Sequence, residues 1–429
     1  MTAHPPPSRR GGLLRHHDFR MLWIGETTSA LGTNVTRLAV PLVAVLALDA
    51  STFQVGLLTA AGWLPWLVVG LPAGAWVDRL PRRPLMLICD GVSLVLLLSV
   101  PAASWAGALT FAHLLGVELL LGTAVVFFQT AYQVYLPGIV DAGHLPEANA
   151  KLQGNEAAAQ VAGPGLAGVI TQAVGAVAGL LVDAASFAIS AVALLRIRTP
   201  ERAERAPAAS GGLRRQVGEG LRFLATDPYL RVLTGYGALS NLALTGYQSI
   251  LVVFLVREVG VTAATVGLLI AGMSAGGLVG AVASTTVARR LGTARGMIAA
   301  NFAAGPFALL IPLGAPGPRL LLVVAGGFGI GAAVVAGNVL KGTFRQTYTP
   351  RPLLGRVVVG MQFLNYGTIP LGALLGGTLG TVLGLRPTLW IMVVCVALAP
   401  LALLIGPAKR ERDFPDHPPT VPERALSPA

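Results

Sequence analysis

The stretch GAWVDRLPRRP, residues 74–84, places four charged residues between two apolar segments at 54–77 and 84–104. Each segment has the roughly 20 residues that a helix needs to cross about 30 Å of hydrocarbon. The same alternation runs along the chain of 429 residues, of which 54% are hydrophobic and only 12% are charged. Because soluble domains carry about 25% charged residues, this composition excludes a soluble multidomain enzyme and predicts a polytopic membrane protein.

Apolar runs bounded by turn and charged residues predict twelve membrane spans. The predicted spans are 20–48, 54–77, 84–104, 108–135, 149–174, 177–196, 229–256, 263–288, 294–314, 319–344, 354–382 and 387–406. We therefore expect the following five regions in chain order. They are an N-terminal tail at 1–18, a six-helix bundle at 19–196, a linker at 197–228, a second six-helix bundle at 229–406 and a disordered polar tail at 407–429. The later part of the linker has the pattern of an amphipathic surface helix.

Lysine and arginine concentrate on one side of the predicted membrane. That side, which holds both termini, receives 27 of the 31 basic residues, whereas the other side receives Arg257, Arg319 and Arg386, and Arg37 lies inside a span. Because basic residues favour cytoplasmic loops, both termini are predicted to be cytoplasmic, in the inner (cytoplasmic) membrane. The net charge of +12 then reflects topology, so we expect a lipid bilayer and no nucleic acid as partner.

The sequence lacks signatures of metal, cofactor or covalent chemistry. Cys89 and Cys395 lie far apart in apolar runs, and none of the six His has metal-ligand spacing. The segment GNVLKGT at 337–343 has its Lys before the second Gly and lies at the end of an apolar span, so it does not predict a phosphate loop. We expect no enzyme activity, no metal and no cofactor.

The two halves of the chain resemble each other. VGLL at 55–58 recurs as VGLL at 266–269, 211 residues later. DFRML at 18–22 is similar to YLRVL at 229–233, again 211 residues later. Such a repeat predicts an all-α integral membrane protein with twelve transmembrane helices in two like-oriented six-helix bundles, and a substrate site where the bundles meet. Because one chain contains both halves, we expect it to function as a monomer.

The loop at 74–84 resembles the inner-loop signature of the major facilitator superfamily, whose fold is built from two pseudo-twofold-related bundles. The matching residues are Gly74, Asp78, Arg79, Arg82 and Arg83. Pro81 replaces the second Gly of that signature. The resemblance implies a conformational latch, in which Gly74 permits close helix approach and Asp78 accepts from a helix N-terminus or a basic residue of the other bundle. The alternative is a short inner loop that is basic for topological reasons alone.

The fifth predicted span contains AGPGLAG at 162–168, which resembles the antiporter signature of the same superfamily. Gly163, Pro164 and Gly168 match, whereas Ala167 stands for a Gly. In the superfamily this element is associated with exporters, and its small residues let two helices meet closely. Ordinary small-residue packing is the alternative.

Two further stretches, YLPGIVDAGHLPEANA at 135–150 and VDAASF at 182–187, look like the macrolide-efflux and siderophore-exporter branch, the transmembrane secretion effectors. The resemblance covers residues 19–406. It implies a secondary active transporter that exports an amphipathic small molecule, such as a drug, a macrolide-like compound or a siderophore, with the proton gradient as energy source. The alternatives are an importer or uniporter of the same fold, and a channel or non-transporting scaffold.

Ionisable residues inside predicted spans are candidates for proton coupling, because they are costly to bury unless they are paired or face water. These candidates are Glu118, Arg37, Glu26 and Asp183. We hypothesise that Glu118, where the superfamily often has Arg, pairs with Arg37 in one state and takes a proton in the other; a permanent structural ion pair is the alternative. Asp90 and Glu156 are expected near the inner surface, where they serve the latch.

Polar and aromatic residues in the central spans are candidates for the substrate cavity. They are Asn34, Gln129, Tyr132, Gln133, Asn241, Tyr247, Gln248, Asn338, Gln362, Asn365 and Tyr366. Amides and aromatic rings with few charges predict a large, amphipathic and neutral or weakly charged compound. Each of these residues has interhelical hydrogen bonding as its alternative role.

Overall fold

The computed structural model describes residues 12–77, 79–199 and 213–415, and within these ranges all regular secondary structure is helical. The first half contains α1 (His17–Leu46), α2 (Thr52–Val68), α3 (Gly70–Val77), α4 (Arg82–Trp105), α5 (Phe111–Ile139), α6 (Leu145–Val174) and α7 (Ala178–Arg196). The linker contains α8 (Leu213–Thr226), and the second half contains α9 (Pro228–Val253), α10 (Ala263–Leu291), α11 (Thr293–Ala308), α12 (Leu320–Tyr348), α13 (Arg351–Val382) and α14 (Leu385–Leu398).

Ten helical segments in the described residues are long and apolar enough to cross a membrane. Each coincides with a predicted span to within several residues. Two predicted spans fall outside this set. The span at 54–77 is divided at Val69 into α2 and α3, and the span at 149–174 lies in α6, which is 30 residues long but carries Lys151 and Glu156.

Helix boundaries repeat between the halves because equivalent residues cap them. Ser51 caps α2 by accepting from Gln54 N at 3.2 Å, and Thr262 caps α10 by accepting from Thr265 N at 3.4 Å. These hydroxyl groups satisfy amide hydrogens that the first helical turn leaves without partners. The caps lie 211 residues apart, which is the spacing of the repeated VGLL segments.

The helices pack in two groups that meet along two helix pairs. In the N-terminal half, α1–α7, α1 packs on α6 and α7, and α4 packs on α5 and α7. In the C-terminal half, α9–α14, α9 packs on α13 and α14, and α12 packs on α10 and α11. The halves meet mainly where α2 packs on α13 and α6 packs on α10. The helices that begin with the VGLL segments, α2 and α10, therefore each pack on a helix of the other half.

We call the two ends of this assembly the basic end and the opposite end. The basic end contains the helix connections at 79–81, 140–144, 197–199, 213–227, 292 and 349–350, and the opposite end contains those at 47–51, 106–110, 175–177, 259–262, 309–319 and 383–384. The helix α8 lies at the basic end and packs on α13 and α9, which agrees with the surface helix predicted in the later part of the linker.

The prediction of a disordered tail from residue 407 is wrong for residues 407–415. Pro407–Arg410 forms a short 3-10 helix, and Phe414 stacks on Phe344 with ring centroids 4.1 Å apart. The Arg412 carbonyl oxygen accepts from Ala294 N at 3.1 Å, and the Asp413 carboxylate accepts from Thr293 N at 2.8 Å. These contacts satisfy amide groups at the start of α11, which has no side-chain cap of its own. Composition alone does not reveal such docking, and the remainder of the predicted tail lies outside the described residues.

Candidate functional site

A central cavity of about 620 Å³ lies between the two halves. Its walls come from α1, α2 and α6 of the N-terminal half and from α9, α10, α12 and α13 of the C-terminal half. Among the predicted substrate-cavity residues, Asn34, Asn241, Tyr247 and Gln248 line it, together with Arg37. The sequence repeat thus correctly predicted that a cavity lies where the halves meet.

Amide, hydroxyl and guanidinium groups line the central cavity among apolar side chains. The Asn34 side chain donates to the Ala30 carbonyl oxygen at 2.8 Å and accepts from Arg37 Nη1 at 3.4 Å. Trp63 lines the cavity and packs against Tyr366 of α13, with ring centroids 5.6 Å apart. Amide, guanidinium and aromatic groups on an otherwise apolar wall suit an amphipathic ligand.

Two glycine contacts bring the halves together toward the opposite end. A Cβ on Gly168 of α6 would lie 2.6 Å from the Ala263 carbonyl oxygen and 2.8 Å from Gly267 Cα on α10. A Cβ on Gly56 of α2 would likewise lie 2.6 Å from the Ala373 carbonyl oxygen on α13. Since Gly56 and Gly267 hold the same place in the repeated VGLL segments, the two contacts are equivalent across the repeat.

The predicted antiporter-like residues divide between two contacts of α6. Gly168 faces α10, as described above, whereas Gly163 faces α1, where a Cβ would lie 2.5 Å from Asn34 Cβ. Pro164 lines the central cavity, and its carbonyl oxygen would lie 2.4 Å from a Cβ on Gly267. This segment therefore fixes α6 between the two halves and beside the cavity.

The structure describes the predicted latch only in part. Asp78 lies outside the described residues. Among the described residues, no heavy atom lies within 4 Å of the position that a Cβ on Gly74 would occupy, so no close helix approach is formed there in this structure. Arg79 is exposed, and Arg83 Nη2 donates to the Leu195 carbonyl oxygen of α7 at 2.9 Å. The latch itself stays a prediction.

A second cavity of about 270 Å³ lies within the N-terminal half and contains carboxylates from three helices. Glu26 of α1, Asp90 of α4 and Glu156 of α6 line it. The predicted substrate residues Gln129 and Tyr132 line this cavity instead of the central one. Asp90 and Glu156 were expected near the inner surface as part of the latch, whereas both face this internal cavity because α1, α4 and α6 converge there.

The predicted pair of Glu118 and Arg37 is not formed in this structure. Within the described part of the chain, no carboxylate oxygen lies within 4.0 Å of the Arg37 guanidinium, which instead donates to Asn34. Glu118 lines neither of the two cavities and lies against α2, where its Oε2 would be 3.0 Å from a Cβ on Gly62. Asp183 is buried on α7 and accepts from Ser186 Oγ at 2.9 Å.

The remaining candidates do not line these cavities. Gln133, Asn338 and Gln362 are exposed on their helices. Asn365 joins two helices through its backbone, because its main-chain carbonyl oxygen accepts from Asn241 Nδ2 at 3.2 Å. Two residues that were not predicted, Trp63 and Gln160, also line the central cavity; their polar or amphipathic character within predicted spans was the available signal.

Apolar helices in two matching halves around a shared polar cavity form the architecture of a membrane transporter. The sequence profile of the transmembrane secretion effector family matches residues 12–418. The chain therefore belongs to this family of major facilitator superfamily transporters, which confirms the resemblance predicted from the sequence motifs.

Two curated relatives are similar over nearly their whole length. The multidrug efflux pump Tap of Mycolicibacterium fortuitum is 29% identical over 428 residues, which cover 96% of this chain and 99% of that protein. The enterobactin exporter EntS of Citrobacter koseri is 28% identical over 432 residues, which cover 96% of this chain and 97% of that protein.

Solved structures share the fold at low sequence identity. A crystal structure of a mutant of the nucleoside transporter NupG matches with a TM-score of 0.76 and 12% identity, over 90% of this chain and 99% of that one. A bacterial homologue of the human lysosomal transporter Spinster, in an inward-facing and occupied conformation, matches with a TM-score of 0.73 and 15% identity, over 93% of this chain and 98% of that one.

Proposed function

We propose that this protein exports an amphipathic small molecule by alternating access, with the proton gradient as its energy source. The proposal includes twelve spans in two six-helix bundles at 19–196 and 229–406, with the basic end and both termini on the cytoplasmic side of the inner membrane. One chain is the working unit. The observation that carries the proposal is the central cavity, which both halves line and which lies between the two pairs of helices that join them.

The two glycine contacts support alternating access. Backbone approach at Gly56 and Gly168 lets the halves meet closely toward the opposite end, and an exporter has to separate these surfaces to release its substrate there. The contacts involve no charged group, so they can form and break without the cost of burying an unpaired charge. Such a surface suits a closure that is made and broken in every cycle.

The relatives support export as the direction. Tap is named as an efflux pump and EntS as an exporter, and both align with the whole transport unit of this chain. The Gly163, Pro164 and Gly168 segment, which the superfamily associates with exporters, lies at the junction of α1, α6 and α10. An importer or uniporter of this fold would not require this segment at that junction.

The distribution of charge supports proton coupling in the N-terminal half. Glu26, Asp90, Glu118, Glu156 and Asp183 all lie in helices of that half. Carboxylates inside a membrane protein can gain and lose protons as their surroundings change between states. Moving one charge through 100 mV supplies about 2.3 kcal/mol, which is sufficient to drive accumulation against a gradient of tens-fold.

Everted membrane vesicles test the proposal directly. Vesicles from cells that produce the protein should accumulate amphipathic compounds when a proton gradient, acidic inside, is imposed, and a protonophore should abolish this accumulation. Vesicles that contain the Gly168→Leu variant provide a matched control, because the larger side chain blocks the approach of α6 to α10. If no compound of a broad panel accumulates above this control, the proposed function is wrong.

A further inference from the structure

We propose that the Arg37 guanidinium binds the anionic group of the transported compound in the central cavity. The substrate class is an amphipathic organic anion, which has a carboxylate, phenolate or sulfonate group on an apolar body. This inference rests on the proposed export function and deepens it by naming a chemical class of substrate.

The first argument is the position of Arg37 on α1. The residue is exposed, whereas Thr36 and Leu38 on either side of it are buried. Because Arg37 lines the central cavity, its exposed surface faces the interior of the protein and not lipid. A charge inside a span is costly unless it is paired or faces water, so such a residue is a candidate for binding.

The second argument is the charge of the central cavity. Among the described residues that line this cavity, Arg37 is the only charged one. The remaining polar groups of the wall are amides and hydroxyls, and no carboxylate of the described chain lines it. The cavity wall therefore has a net positive charge, which favours an anionic group on a bound compound and disfavours a cationic one.

The third argument is the hydrogen bonding of the Arg37 guanidinium. A guanidinium has five N–H donors, and in the described part of the chain this one makes a single hydrogen bond, from Nη1 to Asn34 Oδ1 at 3.4 Å. Asp183 is its electrostatic neighbour, but no described carboxylate oxygen lies within 4.0 Å of the guanidinium. Donors thus remain for a planar carboxylate, which the guanidinium can bind through two parallel bonds.

A second donor lies at the equivalent position of the other half. Gln248 follows Arg37 by 211 residues, the spacing of the VGLL segments. It is exposed between the buried residues Tyr247 and Ser249, and it lines the central cavity. The repeat therefore presents a guanidinium from α1 and an amide from α9 to one cavity. The Gln248 amide can donate to the same anion without adding charge.

The rest of the cavity suits the apolar body of such a compound. Its volume of about 620 Å³ is in the range of roughly 300–1,000 Å³ that is typical of small-molecule sites. Trp63, Met273 and Ile330 contribute apolar surface to the wall. The anionic group would therefore lie against α1, and the apolar body would lie against the surrounding helices.

Binding of dansylglycine to the purified protein in a neutral detergent, followed by fluorescence polarisation, tests this inference. We expect dansylglycine to bind the wild-type protein, and we expect 2-naphthoate to displace it while the neutral 2-naphthamide does not. Arg37→Gln should raise the dansylglycine Kd by about tenfold, the change expected for one lost charge-assisted contact. Gln248→Ala should raise it by only about threefold, because a neutral hydrogen bond contributes less.

Two matched variants control for charge and for folding. Lys341→Gln removes a basic residue that lines neither cavity, and it should change the Kd by less than about twofold. Arg37→Lys retains the charge and should keep most of the affinity, which excludes misfolding of Arg37→Gln as the cause.

Four outcomes would overturn the inference. They are no binding of dansylglycine to the wild-type protein, an equal Kd in wild type and Arg37→Gln, an equal loss in Arg37→Lys and Arg37→Gln, and equal displacement by the charged and neutral naphthalene compounds. An anionic lipid headgroup has the same chemistry as the proposed ligand. If phosphatidylglycerol in mixed micelles displaces dansylglycine while phosphatidylcholine and 2-naphthoate do not, Arg37 binds a lipid headgroup and the assignment to a transported compound is wrong.

Failure of this inference is distinguishable from failure of the proposed function. If vesicles accumulate neutral compounds under a proton gradient while dansylglycine binding is independent of Arg37, the export function stands and the anion subsite is wrong. If dansylglycine binding requires Arg37 while no compound is accumulated, the subsite stands and the export function is wrong.

Discussion

Asp90 in the N-terminal half and Asp227, which caps the first helix of the C-terminal half, are both buried carboxylates, yet they have different surroundings. Asp227 accepts from Tyr229 N at 3.0 Å, from Leu230 N at 2.8 Å and from the Tyr348 hydroxyl at 2.7 Å. Asp90 has Ser190 as its hydrogen-bonding neighbour and faces a cavity. Asp227 therefore stabilises a helix start, whereas Asp90 borders open space inside the N-terminal half.

The same contrast extends over whole halves. Residues 229–406 contain one acidic residue, Glu258, whereas residues 19–196 contain nine. At the basic end of the C-terminal half, the aromatic side chains of Tyr229, Phe344, Tyr348 and Phe414 pack against one another. Both halves share the caps and glycine contacts of the repeat, whereas their acidic residues differ in number.

The glycine contacts should have the largest effect when changed. Gly168→Val and Gly56→Val each place a side chain against a backbone oxygen 2.6 Å away, so neither pair of helices can approach and substrate efflux should fall to background. Efflux of a fluorescent substrate from cells with matched protein levels measures this. Gly116→Val is the control, because no heavy atom of the described residues lies within 4 Å of its Cβ position. If only one contact proves essential, the two helix pairs are not functionally equivalent.

Arg37 in the N-terminal half and Lys341 in the C-terminal half are basic residues with different surroundings. Arg37 lines both cavities, whereas Lys341 lines neither and lies over the Tyr236 ring, 6.0 Å from its centroid. Arg37→Ala should lower kcat/KM for efflux by about tenfold, the size expected for one charge-assisted contact, and Lys341→Ala should change it by less than about twofold. Comparable losses in both variants would show that lining a cavity does not decide which of the two cations affects efflux.

Ten of the twelve predicted spans match apolar helices of the described residues, because hydropathy and spacing are properties of contiguous residues. The sequence predicted the position of Asp90 along α4 but not its neighbours, because Glu26 and Glu156 reach the cavity from other helices. Gln129 and Gln133 have the spacing of one helix face, yet only Gln129 lines a cavity. In a membrane both the lipid and the protein interior are apolar. The periodicity of apolar residues therefore does not tell the lipid-facing side of a span from the side that faces the protein. The docking of 407–415 depends on Phe344 and Thr293 at distant positions.

Phe414→Ala should destabilise the C-terminal half by about 1 kcal/mol, the contribution of a stacked aromatic pair beyond its burial. The ring stacks on Phe344 at 4.1 Å, and Phe414 N donates to Thr293 Oγ1 at 2.9 Å. The midpoint of thermal unfolding in detergent should fall by a few degrees. Trp105→Ala in the N-terminal half, where the side chain is 78% exposed, should shift the midpoint less; an equal shift would mean that the docked segment adds no stability.

The ion pair of Asp49 and Arg257 should have the smallest effect, although it joins the two halves at the opposite end. Arg257 Nη2 lies 2.6 Å from Asp49 Oδ1, but the Asp49 side chain is 97% exposed, and exposed pairs contribute about 0–1 kcal/mol. Asp49→Asn removes the charge and tolerates the local φ of 46°, so efflux should change by no more than about fivefold. Glu258→Gln, which weakens a pair with Arg386 inside the C-terminal half, is the matched comparison.

Efflux rates of both variants at low and high salt distinguish the two pairs, because only a pair that opens and closes with the halves should affect the rate of the cycle. An equal response of the two variants would mean that the cross-half pair has no part in closing the opposite end.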